Sequence, residues 1–370
     1  MPGYVTHYIF GREVYHNLKN NSLKKNLYYN RAAYGLGLQG PDIFFYYLPS
    51  YVLEGHNIGA LAHVRETSAF FQGLIESRNQ FSSRTDLNIA EAYLIGFLGH
   101  YTLDTICHPY IYAMTHYKDK KEKAYFSRHA YLETDIDTAL LDLKLHRQPC
   151  NFHTEDTIRL THRQKHVIAS MLYYAYRYAF PDVKFRKYTM YLAIFSMQLG
   201  LWLMHDDSGK KKAIVRLTER ICLGYPLFSP LIPSDTLFFR TDPFNLRHAL
   251  WKNPWDSSIT SNESFFELYD KSKELYLSRI HSLYAALHAG ADSARQDAAI
   301  QDFFAGIWKS FVSQRVECYD PKLIGWVMSA QFSRAKVALR FWAFRSHAPI
   351  KYRTDCAVFL FLYFVLVFYF

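Results

Sequence analysis

The sequence predicts an all-α protein, a multi-helix bundle with a helical extension towards its C-terminus. Three observations carry this expectation. Apolar residues recur three and four positions apart through most of the 370 residues. Alternating strand patterns are rare, and neither a GxGxxG turn nor a phosphate-cradling P-loop occurs. In chain order, the spacing predicts helices over 89–116, 127–145, 155–179, 187–204, 262–289 and 296–313. Breaks are expected at Gly40-Pro41-Asp42, at 84–86, in the charged run 118–123, at 206–212 and through the Pro-bearing stretch 226–257. No repeat of fixed period stands out.

Composition narrows the class. Gly (16) and Pro (13) are scarce, which excludes collagen-like and low-complexity chains, and half the residues are hydrophobic, enough for a sizeable core. Five scattered cysteines (Cys107, Cys150, Cys222, Cys318, Cys356) read as reduced thiols of a cytoplasmic protein. The start, MPGYVTHYIFGREVYHNL, lacks a basic segment followed by an apolar one, so no signal peptide is expected. The formal charge of +10 is unevenly spread: net +1 over residues 1–150 and net +9 over 151–370. A basic half suits anionic company such as lipid headgroups or nucleic acid, and equally suits plain solubility.

The last fifteen residues, 356–370, are all apolar or Tyr and follow Lys351 and Arg353. As a helix they would span about 22 Å, short of the roughly 30 Å hydrocarbon core. Three readings stay open: a membrane anchor, a buried or interfacial segment, or an unnatural end to the reading frame. The expected organisation is a helical domain at 1–180, a helical extension packed on it at 181–345, and an apolar tail at 346–370.

The chemistry concentrates in 89–116. His100, Asp104 and His108 are spaced four apart, so on a helix two imidazoles and a carboxylate share one face. Their flanks (Leu94, Ile95, Phe97, Leu98, Leu103, Ile106) make the helix mostly buried, and buried polar groups need partners. Neutral imidazole and carboxylate are donors that zinc takes. Pro109 allows a kink or a stop near His108. On the next predicted helix His129 and Glu133 are again four apart, with Asp135 and Asp137 read as surface or supporting acids. Upstream lie His7, Asp42, His56 and His63; eight of the 17 histidines fall in the first 130 residues.

The ordered set THYIFG (His7), GPDIFFYY (Asp42), His63 before an FF pair, GHYTLDTICHP (His100, Asp104, His108) and HAYLETDID (His129, Glu133) resembles the bacterial zinc-dependent phospholipase C family. The fungal single-strand nucleases share its fold and zinc site. The resemblance covers roughly residues 1–180, with weaker likeness beyond, as in NPWDSSITSNESFFELYD. It implies two or three zinc ions. Asp42, His63 and His100 would hold one, Asp104 would bridge it to a second bound by His7, and His108, His129 and Glu133 would hold the third. Family members add an N-terminal amine to the second zinc, and here the Pro2 amine, five residues before His7, is the candidate. The chain departs from the secreted enzymes in two places. Only three residues separate Asp104 from His108 where those enzymes have five, which leaves a dinuclear site open. The gap from Asp42 to His63 is longer, with His56 nearer the shorter distance.

The resemblance therefore implies a phosphodiester hydrolase of phospholipase C type acting on phospholipid headgroups with a zinc-activated water. Asp42 would be both ligand and catalytic base. Tyr4, Tyr8, Phe44, Phe45, Tyr46, Tyr47 and Tyr51 are candidates for an aromatic rim, and membrane surface contact through 356–370 is one of the readings open for the tail. Two alternatives stay beside it: a single-strand nuclease on the same site, with nucleic acid as partner, and a non-catalytic, metal-stabilised protein that binds lipid or a partner.

Overall fold

A single long helix organises the molecule, and its sequence explains why. In the computed structural model, which describes residues 3–47, 58–117, 125–184, 186–222, 224–237, 242–289 and 298–304, almost every side chain from Ile89 to Tyr112 is buried. A helix apolar on all sides must be surrounded. This helix is α6 (Arg84–Met114), and its neighbours are α3 (Arg31–Gly37), α8 (His162–Ala179) and α11 (Phe265–Leu287), with α1 (Tyr4–Asn17) and α7 (Tyr125–Leu145) against its metal-ligand end. The remaining helices are α2 (Asn21–Tyr29), α4 (Ile58–Val64), α5 (Thr67–Glu76), α9 (Lys187–Met204) and α10 (Lys210–Cys222). Between 245 and 262 lies a two-stranded antiparallel ribbon, β1 (Trp251–Lys252) and β2 (Thr260–Ser261). The fold is all-α, as the periodicity predicts.

Two positions of close approach fix α6 in place. α3 crosses it glycine to glycine: a Cβ on Gly37 would lie 2.2 Å from the Tyr93 carbonyl oxygen, and one on Gly96 would lie 2.2 Å from that of Tyr34. On the other side Tyr276 of α11 donates to the Ile95 carbonyl at 2.7 Å, and Arg279 donates to Thr102 Oγ1 at 3.0 Å. Phe10 of α1 stacks on Tyr276, so α1, α6 and α11 share one aromatic core. α11 starts within the NESFFELYD motif through a capping box, Ser264 with Glu267.

Several boundaries differ from the sequence reading. The break expected at 84–86 is the first turn of α6, which begins after Ser83. Through Pro109, α6 runs on to Met114 as the helix predicted over 89–116 does, without the stop that Pro109 allowed: the lost N–H deprives only the Thr105 carbonyl, and packing on all sides holds the turn. The break at 206–212 is shorter, because α10 starts at Lys210. Of the predicted helix at 296–313, residues 298–304 are helical and the rest lies outside the described residues. Pro2, Tyr51, His56, the run 118–123 and the tail 346–370 also lie outside them. Among the described residues no helix is long and apolar enough to cross a membrane.

Candidate metal centre

Four elements bring the candidate ligands together. α6 presents His100, Asp104 and His108 along one face, α1 brings His7, the short 3₁₀ turn Gly40–Phe44 brings Asp42, and α4 brings His63. All six are buried. The 3₁₀ turn reaches the site only because residue 40 is glycine: its φ is +52°, and a Cβ there would lie 2.2 Å from the His100 ring.

The donor atoms form a continuous row. Asp42 Oδ1 lies 3.1 Å from His63 Nε2, which lies 3.4 Å from His100 Nε2. His100 Nε2 lies 3.2 Å from Asp104 Oδ2, and Asp104 Oδ1 lies 3.2 Å from His7 Nε2. The row yields two groups that could each hold a metal ion, Asp42–His63–His100 and His7–His100–Asp104, with His100 common to both. His108 Nε2 stands further off, 3.9 Å from Asp104 Oδ1.

These atoms fit a metal better than they fit one another. Both oxygens of Asp104, Oδ1 of Asp42 and both ring nitrogens of His7 and of His108 are buried without an aligned hydrogen bond. Orphaned buried acceptors are costly, so so many at one point call for a missing partner. Two donors on one tetrahedral zinc at about 2.0–2.1 Å would be separated by about 3.3 Å, close to the spacing of the row. The far nitrogens of two rings are already fixed: His100 Nδ1 lies 3.2 Å from the Leu38 carbonyl, and His63 Nδ1 lies 2.7 Å from that of Gly59. Each of these contacts favours a proton on Nδ1 and so a lone pair on Nε2, which is the usual support for a metal-binding imidazole.

Protonation follows the same pattern. Burial pushes His100 and His108 well below the usual imidazole range. Burial works to raise Asp104, but the imidazoles of His100, His108 and His7 outweigh it and hold the carboxyl well below its usual range. Neutral imidazole and ionised carboxylate are the states a metal needs. Asp42 and His63 behave as a pair. Burial raises Asp42, with the His63 contact pulling it only part of the way back, and Asp42 raises His63 against the effect of burial.

His129 and Glu133 meet on α7, Nε2 to Oε1 at 2.7 Å. His108, His129 and Glu133 are not among the compact groups of ligand atoms, and the Tyr112 ring lies 5.4 Å from that of His108 and 4.9 Å from that of His129. Trp255, from the NPWDSS stretch, packs on Tyr112 and Tyr117 and covers this end.

Four residues, Asp135, Asp137, Phe44 and Tyr47, differ from part of the sequence reading. Asp137 and Asp135 are buried, so neither is a surface acid. Asp137 accepts from Val5 N–H at 3.0 Å and from the Thr6 N–H and hydroxyl at 2.8 and 2.6 Å, capping α1 one residue before His7. Phe44 is fully buried against Tyr176 and belongs to the core, not to a rim. Tyr47 is also buried, whereas Phe45, stacked 5.5 Å from His63, and Tyr46 are half-exposed. Burial raises the Tyr46 hydroxyl, and the charges of Asp42, Asp137 and Glu133 raise it further, which puts it beside the site. A separate, largely exposed group, His153, His205 and Asp207, could also hold a metal ion; His153 lies 52 positions before His205, too far for a spacing rule to tie them together.

A buried row of imidazoles and carboxylates across a helical bundle defines a helical metalloprotein with a multi-ligand centre. Residues 6–183, a little under half of the chain, match the family model described as zinc dependent phospholipase C, so the likeness drawn from the motifs is shown over that stretch. The family is zinc-dependent, and the His/Asp groups present could bind two or three zinc ions. No curated protein and no solved structure matches the chain.

Proposed function

We propose that the chain is a zinc-dependent phosphodiester hydrolase of phospholipase C type that cleaves phospholipid headgroups. The observation that supports this most is the row Asp42–His63–His100–Asp104–His7, buried and pre-positioned, in which Oδ1 of Asp42, both oxygens of Asp104 and both ring nitrogens of His7 lack aligned hydrogen bonds. We assign His7, Asp42, His63, His100 and Asp104 as the central ligands, with His108, His129 and Glu133 as the set for a further ion. Zinc bound there polarises phosphoryl oxygens and makes water acidic enough to react near neutral pH.

The chain's own groups supply the rest. Asp104 is kept ionised and offsets the charge concentrated between His7 and His100. The Asp42 carboxyl, whose hold on a proton is raised by burial, suits a general base through the oxygen that it does not give to the metal. Phe45 and Tyr46 flank the Asp42–His63 side, where an apolar or cationic part of a substrate would lie against aromatic surface. The three-part division at 180 and 345, and membrane contact through 356–370, remain part of this reading.

The test is a substrate panel on the zinc-loaded protein: phosphatidylcholine micelles, a soluble phosphodiester and single-stranded DNA. Release of phosphorylated headgroup, lost in Asp42→Asn, is the expected result. Cleavage of DNA alone would favour the nuclease, and full zinc loading with no turnover of any substrate would favour the non-catalytic reading.

A further inference from the structure

α10 carries a surface that no part of the centre accounts for. Ile214, Leu217 and Ile221, at positions i, i+3 and i+7, are 50, 60 and 76 % exposed and lie along one face. The opposite face is already used: Val215 is buried, and so is Glu219, which accepts the backbone N–H groups of Leu227, Phe228 and Ser229. Glu219 is the only acid of the helix, and it is turned inward. Every charge that α10 shows to solvent is therefore positive, from Lys210, Arg216 and Arg220.

A helix at the surface of a bundle normally has a polar outer face. Here the outer face is aliphatic with a cationic border, the pattern of a helix that lies in the plane of a lipid surface. Thirteen residues span about 20 Å, too short to cross a bilayer and long enough to lie on one. We propose that α10 docks the protein on an anionic phospholipid surface, with Ile214, Leu217 and Ile221 entering the headgroup boundary and Lys210 and Arg220 meeting lipid phosphates. A nucleic acid would be attracted by the same cations but has no use for three exposed aliphatic side chains, so charge and apolarity together favour lipid. The purpose of such docking rests on the phospholipid reading; the binding itself does not.

The experiment is co-sedimentation of the full-length chain with vesicles of phosphatidylcholine, with and without phosphatidylserine, at low and high salt. It is paired with hydrolysis of a soluble short-chain substrate. The wild type is expected to bind the anionic vesicles and to be released by salt. Leu217→Glu/Ile221→Glu and, separately, Lys210→Glu/Arg220→Glu should each lower that binding by on the order of tenfold. Helical circular dichroism and turnover of the soluble substrate should not change, because these side chains are exposed and outside the centre. Wild type that ignores anionic vesicles, variants that bind as wild type does, or a surface that instead captures single-stranded DNA or a second copy of the chain would overturn the proposal. Vesicle binding without any phosphodiester cleavage would leave the docking standing and defeat the phospholipase reading alone.

Discussion

Thr6 gives both its backbone N–H and its hydroxyl to a single oxygen of Asp137, at 2.8 and 2.6 Å, across 131 positions of sequence. α1 has no acid in its first turn, and its N-cap is Gly3, which offers no side chain. Asp137 of α7 is the cap that α1 lacks. Since His7 is the next residue, this contact also sets where the His7 ring meets Asp104.

Replacing Asp137 by Ala should therefore act twice. Loss of a buried cap costs about 1–3 kcal/mol, seen as a lower midpoint in denaturant. Zinc affinity should fall as well, while Asp137→Asn, which keeps an acceptor, recovers most of both. An Ala variant with wild-type zinc affinity would show that His7 is positioned by something else.

The same residue predicts a pH effect. Burial raises the Asp137 carboxyl from its ordinary 3.8 to about 6. Between those values the folded chain holds a proton that the unfolded chain has released, so stability falls as pH rises through that window. The contribution is up to about 3 kcal/mol. Metal-stripped wild type minus Asp137→Asn, measured by denaturant unfolding from pH 4 to pH 6.5, should show this slope; parallel curves would contradict it.

Zinc binding at the Asp42–His63 end should weaken as pH falls. His63 is raised by Asp42, so its proton must leave before Nε2 can bind a metal. Calorimetric titration in buffers of different ionisation enthalpy should report proton release on binding, reduced in His63→Ala. Binding without proton release would place the metal elsewhere.

Gly40→Ala offers a test of geometry. It forces a side chain into a left-handed conformation and against the His100 ring. The expected cost is about 1–3 kcal/mol, together with loss of the zinc held by Asp42, His63 and His100. A variant with unchanged stability and zinc content would contradict the packing of the 3₁₀ turn on α6.

Much of the centre was legible because helical spacing is local. His100, Asp104 and His108 declare a shared face at four-residue intervals, and so do His129 and Glu133. Asp42, His63 and His7 have no such local signal, and only the ordered motifs tied them to the same place. Whether Asp137 is a supporting or a surface acid has no local signal, because its partner is the start of a helix 131 positions away. Phe44 looks identical in sequence to its neighbour Phe45, yet the 3₁₀ turn sends one into the core and leaves the other beside His63. Pro109 suggested a break, and packing on every side of α6 overrode it.

The central claim is that one buried row of side chains holds zinc as a unit. Elemental analysis of the purified full-length chain and of Asp104→Asn tests it most directly. Two or three zinc per wild-type chain, with at least two lost together in the variant, is the expected result. A wild-type chain without zinc, or an Asp104→Asn chain that retains all of it, would contradict the account.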